Sequence, residues 1–277
     1  MVGLPAGTRM GAVRLRVRSL EAEAAFYRDV LGLREQERNA SHATYGAVGS
    51  TPLVTLVHAP DAPPRPPRST GLYHFALLFP DRAALGAAVR DVAAADHPFT
   101  GFSDHLVSEA AYLSDPERNG IELYRDRPEN EWQWRGDSVV MATERLDVQA
   151  LLADALPGTP PPGRSDELRM GHVHLHVADR MRAGEFYTGV IGFDVTTRDY
   201  PGALFLSANR YHHHLGLNEW AGDAAPPPGA TGLIDFEILV PHSDTLHDIA
   251  SRAGAAVDGD TLRLHDPDGN GIVIRAA

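Results

Sequence analysis

The chain has 277 residues, about twice a common domain length, so two domains or a duplicated fold are expected. Acidic residues number 37 against 25 basic ones, a formal net charge of −12 that is the wrong sign for neutralising nucleic-acid phosphates. Cysteine is absent and every basic residue is arginine; this excludes disulfides, thiolate nucleophiles, Fe–S clusters, cysteine zinc sites, Schiff-base lysines and P-loops, and leaves carboxylates and 14 histidines for metal or acid–base work.

Met1 to Thr8 lack a basic start followed by an apolar stretch, and no apolar run reaches membrane length, so the cytoplasm is the expected compartment. Val13, Leu15 and Val17 alternate with arginines, which predicts a half-buried strand. Ser19 is placed to cap a helix running to Leu31, with Leu20, Ala24, Tyr27 and Leu31 on one face and Gly32 as its stop. Glu21 and Glu23 fall in its first turn, where acids suit the helix dipole. Thr44–Tyr45 and Leu53–His58 read as strands, and the proline-rich stretch from Ala59 to Pro67 reads as a loop. The pattern then recurs: a strand over Tyr73–Phe79, a helix after Asp81 with Leu85, Ala88, Val89 and Val92 aligned, and strands over Ala110–Ser114 and Gly120–Tyr124. Residues 128–168 form a linker with a short helix over Leu146–Leu156, followed by the proline-rich Pro157–Gly163. Beyond it His172, His174 and His176 alternate and so share one strand face. Ala224–Gly229 is a second proline-rich joint, and Asn270-Gly271 is a turn signal.

The chain repeats itself. Met10-Gly-Ala-Val13 matches Met170-Gly-His-Val173, and Phe26-Tyr27-Arg-Asp-Val30-Leu-Gly32 matches Phe186-Tyr187-Thr-Gly-Val190-Ile-Gly192, both at an offset of 160. Gly71-Leu-Tyr-His74-Phe matches Gly232-Leu-Ile-Asp235-Phe at 161, and Asp115-Pro-Glu-Arg-Asn-Gly120 matches Asp266-Pro-Asp-Gly-Asn-Gly271 at 151. Such collinear matches mark a duplication. The predicted fold is α+β, with a βαβββ unit four times over: modules 10–58 and 71–127 in an N-terminal half (9–127), and modules 170–221 and 231–277 in a C-terminal half (169–277).

The run Gly171-His-Val-His-Leu-His-Val177 followed by Ala178-Asp179, then Phe186-Tyr187-x-x-Val190-Ile-Gly-Phe193, resembles the vicinal oxygen chelate superfamily of glyoxalase I, bleomycin-resistance proteins and extradiol ring-cleaving dioxygenases. The resemblance spans about residues 10–125 and 169–275, and its motifs are most similar to the bacterial catechol 2,3-dioxygenase group. It implies cup-shaped, partly open barrel sheets with helices outside, and metal ligands on the first and last strands of the modules. At the first-strand positions stand Ala12, His74, His172 and Asp235; at the last-strand positions stand Glu122 in module two and Val273 in module four. Only a cup built from modules two and three unites His74, Glu122 and His172, a two-histidine, one-carboxylate set suited to Fe(II), with Mn(II) as the alternative. The cup from modules one and four would then be structural.

The resemblance further implies that the stretch His105-Leu-Val-Ser-Glu-Ala-Ala111-Tyr112-Leu-Ser-Asp115-Pro116-Glu-Arg118-Asn-Gly-Ile-Glu122 supplies His105 and Tyr112 as hydrogen-bond partners of substrate oxygens. Ala111 and Arg118 depart from the group's pattern, at scaffold positions. Aligning Tyr211-His212-His213-His214-Leu215-Gly216 as an interior strand puts His213 in the acid–base role, with His212 and His214 on the opposite face, at the surface or an interface. His174 and His176 are expected to line the cup or form hydrogen-bonded core. His42, His58, His97, His242, His247 and His265 have no partner in this scheme and are expected to be solvated. The implied reaction uses O2 and a catechol-like substrate and gives a muconic semialdehyde. The rivals are a glyoxalase-like lyase or isomerase, which needs a second carboxylate ligand, and a metal-free protein that sequesters small molecules. A homo-oligomer, taken as a dimer, is expected because such assemblies are common.

Overall fold

The computed structural model describes residues 3–49, 52–155, 158 and 166–276. Module one contains β1 (Arg9–Val17), α1 (Leu20–Ala25, continued by a π-helical turn over Phe26–Val30), β2 (Arg34–Arg38), β3 (His42–Gly46) and β4 (Val54–His58). Ser19 caps α1 by accepting the Ala22 N–H, and Gly32 turns with φ of 66° where the helical path ends. Module two contains β5 (Gly71–Phe79), α2 (Arg82–Ala94), β6 (Gly101–Asp104), β7 (Ser108–Ser114) and β8 (Gly120–Asp126). Asp81 caps α2, whose buried face includes Leu85, Ala88, Val89 and Val92 as the periodicity requires.

The linker holds a small ribbon, β9 (Trp134–Arg135) with β10 (Ser138–Val139), and α3 (Val148–Asp154), shorter than the expected Leu146–Leu156 helix and capped by Asp147. Leu156 lies outside the described residues, as does Pro157–Gly163 apart from Gly158. Module three contains β11 (Arg169–His176), α4 (Arg180–Phe186, again ending in a π-helical turn), β12 (Asp194–Thr197), β13 (Ala203–Ser207) and β14 (Leu215–Asn218). Module four contains β15 (Gly232–Val240), α5 (Ser243–Ala253), β16 (Thr261–His265) and β17 (Gly271–Ala276). Among the described residues it has two return strands where the βαβββ expectation gives three, and only an isolated bridge, Asp258 to Thr261, leads into β16.

Sequence halves and sheets do not coincide. One sheet of 8 strands runs β12-β13-β14-β11-β5-β8-β7-β6 and joins modules two and three; a 7-stranded sheet runs β16-β17-β15-β1-β4-β3-β2 and joins modules one and four. In every module the first strand pairs in parallel with the last, and the two modules of a sheet meet through antiparallel first strands, β5 with β11 and β15 with β1. Alternation then sorts the side chains. Phe75 and Leu77, Val173 and Leu175, and Ile121 and Leu123 enter one apolar core together with Val13, Leu15, Phe236 and Ile238 of the other sheet. Their neighbours His74 and Ala76, His172 and His174, and Glu122 and Tyr124 face the opposite side of the eight-stranded sheet. No helix among the described residues is long and apolar enough to cross a membrane.

The repeated Phe-Tyr and Asp-Pro motifs clasp the two sheets. Tyr27 of module one donates to Asp115 Oδ2 of module two at 3.0 Å, and Tyr187 of module three donates to Asp266 Oδ2 of module four at 3.0 Å. Each aspartate also accepts the backbone N–H and side-chain amide of the asparagine four residues on, so its buried oxygens are fully bonded. The first clasp carries an additional acid. Glu23 is fully buried and accepts the Glu117 N–H at 2.9 Å; burial, with Asp115 and Glu117 nearby, pushes its carboxyl up to about 10.

Because folded Glu23 keeps its proton to about pH 10 while the unfolded chain loses it near 4.5, the unfolded state binds fewer protons in between and stability falls as pH rises. Glu23→Gln cannot titrate and lacks this slope. Its melting temperature relative to the parent should therefore climb steadily from pH 6 to pH 9; a constant gap in denaturation curves would contradict a buried, protonated Glu23.

Candidate metal centre and its cavity

Strand register alone brings the three ligands together. On the central strand β5, Ala76 lies opposite Glu122 of β8 on one side and opposite His172 of β11 on the other. All three face the cup, and the small Ala76 leaves room above itself for the longer side chains that flank it. His74, two residues along β5 on the same face, reaches over from the neighbouring position. Its Nε2 lies 3.0 Å from Glu122 Oε2, and His172 Nε2 lies 3.1 Å from the same oxygen. The three are buried, and their donor atoms lie within 4.8 Å of one another.

The donor chemistry suits a divalent cation. Among the described residues His74 Nε2 is buried yet has no hydrogen bond of good geometry, so its close approach to Glu122 does not serve that purpose. Burial opposes ionisation of Glu122, but the two imidazoles outweigh it and hold the carboxyl well below the usual carboxylate range. Burial also pulls His74 below the usual histidine range, more than the neighbouring Glu122 raises it, so this ring is held neutral as a metal ligand must be. Two nitrogens and one carboxylate on one side of a cation leave its other positions open, the facial arrangement of non-haem Fe(II) sites.

The ligands lie in the wall of a cavity of about 570 Å3 that His105, Tyr112, His174, His176 and His213 also line. Tyr112 stands directly across from Glu122 on β7 and donates to His105 Nε2 at 2.7 Å; the other nitrogen of His105 donates to Ala142 O at 2.7 Å. Burial and the Glu122 charge push the Tyr112 hydroxyl well above its usual range. His213 is buried with its ring centroid 4.2 Å from that of His172, and burial and the surrounding imidazoles pull it well below the usual histidine range. The six residues singled out from the sequence thus share one cavity.

Three expectations are corrected. Tyr211–His214 is not a strand but the turn ahead of β14, so alternation does not apply there. His212 and His214 are accordingly not at a surface: His212 is 0% exposed and His214 is buried against Ser207, whose hydroxyl lies 2.9 Å from its Nδ1. His97 is half-buried, packed on Phe26 and bonded to Ser114 O at 3.0 Å, whereas His242, His247 and His265 are exposed as expected. His174 and His176 do line the cup; His176 Nδ1 meets Asn218 Oδ1 at 2.6 Å, while His174 Nε2 is buried with no hydrogen-bond partner among the described residues.

The structure adds residues that no repeat or motif signalled. Met141 and Thr143 of the linker complete one wall, and Ala142 holds His105, yet the linker has no counterpart elsewhere in the chain. Tyr124 packs behind His172 at 4.8 Å between ring centroids, passing so close to Gly171 that a Cβ there would lie 1.8 Å from its hydroxyl. Gly171 sits where the β5–β11 register shifts, which gives the repeated Met-Gly motif a physical meaning. In the other sheet the equivalent Gly11 admits Glu237, which takes the place of Ala76. Its Oε2 accepts the Ala12 N–H at 3.3 Å, Arg275 pairs with its Oε1 at 2.8 Å, and Asp235 faces Arg14 at 3.6 Å. That cup holds its acids in arginine pairs.

A family model described as the Glyoxalase/Bleomycin resistance protein/Dioxygenase superfamily matches residues 9–123. The catechol-2,3-dioxygenase of Bacillus subtilis strain 168 is 42% identical over 279 residues, covering 96% of this chain and 96% of that protein. Among solved structures, glyoxalase I from Zea mays superimposes with a TM-score of 0.57 at 17% identity, over 98% of this chain and 92% of that one. The cppA protein of Streptococcus pneumoniae TIGR4 does so with a TM-score of 0.59 at 11% identity, over 99% of both chains. At these identities the two solved structures share the fold alone.

Alanine at His74, Glu122 or His172 should each weaken Fe(II) or Mn(II) binding beyond the roughly 10–100-fold that loss of an outer partner costs. Glu237→Ala, in the other cup, should leave metal binding unchanged. Calorimetric titration with metal analysis of the dialysed protein reads both, and full affinity in any of the three ligand variants would refute this centre.

Proposed function

The chain belongs to the glyoxalase/bleomycin resistance protein/dioxygenase superfamily, and from that membership we propose that it is an extradiol ring-cleaving dioxygenase of the catechol 2,3-dioxygenase kind. The reaction adds both atoms of O2 to a catecholic ring, breaks the carbon–carbon bond beside the diol and yields a muconic semialdehyde, with no further reductant. The observation that carries this reading is the His74–Glu122–His172 cluster, the one such group among the described residues, on the wall of a cavity whose other polar groups are proton donors and acceptors. A cavity of about 570 Å3 is of the size that small-molecule sites commonly have. A glyoxalase-like lyase is less well supported, because the cluster offers one carboxylate where that chemistry calls for two.

Iron(II) held by the three ligands, with Mn(II) as the alternative, would supply the positive charge that favours a catecholate and the redox partner that O2 needs. The protein groups do the rest. His213, neutral in its buried setting, accepts a proton from the diol and returns one as the ring opens. Tyr112 and His105, already hydrogen-bonded to each other, hold the substrate oxygens on the β7 side. Phe205, 4.7 Å from the His213 ring between centroids, packs against that ring in the cavity wall and helps to hold it in place.

Anaerobic reconstitution with Fe(II) followed by catechol should give O2 uptake and a yellow ring-fission product. His172→Ala should abolish uptake through loss of metal. His213→Ala should keep its metal and lose roughly 10²–10⁴-fold in kcat. Iron-loaded protein that consumes no O2 with catechol or substituted catechols would reject the reading in favour of the lyase, and protein that binds no metal would leave a sequestering role.

A further inference from the structure

Behind His213 runs a chain of hydrogen bonds that the acid–base reading does not itself require. His213 Nδ1 lies 2.8 Å from His212 Nδ1, and His212 Nε2 lies 2.8 Å from Asp126 Oδ1. Asp126 also accepts the Tyr211 hydroxyl, at 2.9 Å to Oδ2, and Tyr211 meets the Tyr124 hydroxyl at 2.8 Å. His212 has no exposure, and Asp126 keeps a side chain 22% exposed at the end of β8. Glu122, Tyr124 and Asp126 alternate on one face of that strand, so a single strand carries a metal ligand, the support of His172 and the end of this chain.

We infer that Asp126 and His212 are positioning residues that fix which nitrogen of His213 carries its proton. The order of the hydrogen bonds decides it. A carboxylate only accepts, so His212 must present Nε2–H to Asp126. In the arrangement inferred, His212 spends its single ring hydrogen on Asp126 and keeps a lone pair on Nδ1; a contact of 2.8 Å between two nitrogens needs one hydrogen, so His213 donates from its own Nδ1. This leaves a lone pair on His213 Nε2, the nitrogen without a hydrogen bond among the described residues, on a ring that lines the cavity. His213 is thereby set to accept a proton, and the positive charge it gains faces, through His212, a carboxylate on the far side. The logic is that of a buried acid holding a catalytic histidine in its working tautomer, here relayed through a second imidazole.

The inference rests on the proposed role of His213, and two readouts separate its failure from failure of that role. In 15N-histidine-labelled, Zn(II)-loaded protein, two-bond proton–nitrogen spectra should show His213 protonated at Nδ1 only and His212 at Nε2 only. Asp126→Ala should abolish that pattern while metal content and folding stay as in the parent. In the iron-loaded enzyme Asp126→Ala and Asp126→Asn should lower kcat by about 10²-fold or more with little change in KM, whereas Tyr211→Phe, which spares the His212 contact, should cost less than about threefold. His213 protonated at Nε2, His212 doubly protonated, or an unchanged kcat in both Asp126 variants would each overturn the inference. If the parent enzyme consumes no O2 with catechols, the proposed function fails and the spectra still decide the tautomer.

Discussion

The antiparallel pairing of β5 with β11 is the constraint from which the site follows. It joins module two to module three across the linker, and its register sets Ala76 between Glu122 and His172. Neither module alone could hold a cation in this way, since one brings a histidine and a glutamate and the other a histidine. A slip of one residue in this pairing would turn every imidazole of β11 into the apolar core and every valine and leucine into the cup. The register is guarded from both faces: Phe75, Leu77, Val173 and Leu175 are buried with no freedom to exchange sides, and the bulge at Gly171 fits only where Tyr124 crosses it.

The second sheet shows what the same architecture becomes without the ligands. Its central row has Val273, Glu237 and Ala12 where the first has Glu122, Ala76 and His172. A carboxylate in the middle of the row fills the space that Ala76 leaves open, and arginine neutralises it. The sheet keeps its curvature, its bulge at the Met-Gly motif and its tyrosine clasp, because these belong to folding. Retention of the scaffold with loss of the row separates the residues that build a cup from those that use it.

That separation also explains what could be read from the amino-acid sequence. The four repeats, the strand alternation and the cap residues Ser19 and Asp81 signal local order, and the structure has them. The union of modules two and three was legible because the corresponding positions of modules one and four hold Ala12, Asp235 and Val273, with a single possible ligand among them, a chemical argument that needs no contact prediction. What escaped were features set by tertiary packing. The turn at Tyr211–His214 has the composition of a strand but is pulled out of the ladder by bonds to Asp126 and Ser207, so the three histidines are all buried. Glu23 looks like a solvated first-turn acid and is instead sealed under the clasp. Ala142 holds His105 through a carbonyl, a contact that any residue type could make.

Charge balance connects the scaffold with the chemistry proposed for it. Burial keeps His74 and His213 neutral, and Glu122 is the carboxylate of the ligand cluster, held well below the usual carboxylate range. A divalent cation there would retain one positive charge after its carboxylate is counted, enough to favour a singly ionised diol and too little to need a second acid beside it. An additional carboxylate at the centre would cancel that charge, and the row has no place for one: the position between its two outer members is alanine, and the strand that could contribute another acid, β7, contributes Tyr112 instead. The other acid on that face of β8, Asp126, is set apart from the ligand cluster behind two imidazoles. There it can stabilise a proton on His213 without weakening the hold of the centre on an anionic substrate. In the chemistry proposed, the spacing of Glu122 and Asp126 along β8 gives one carboxylate to the cation and the other to the proton.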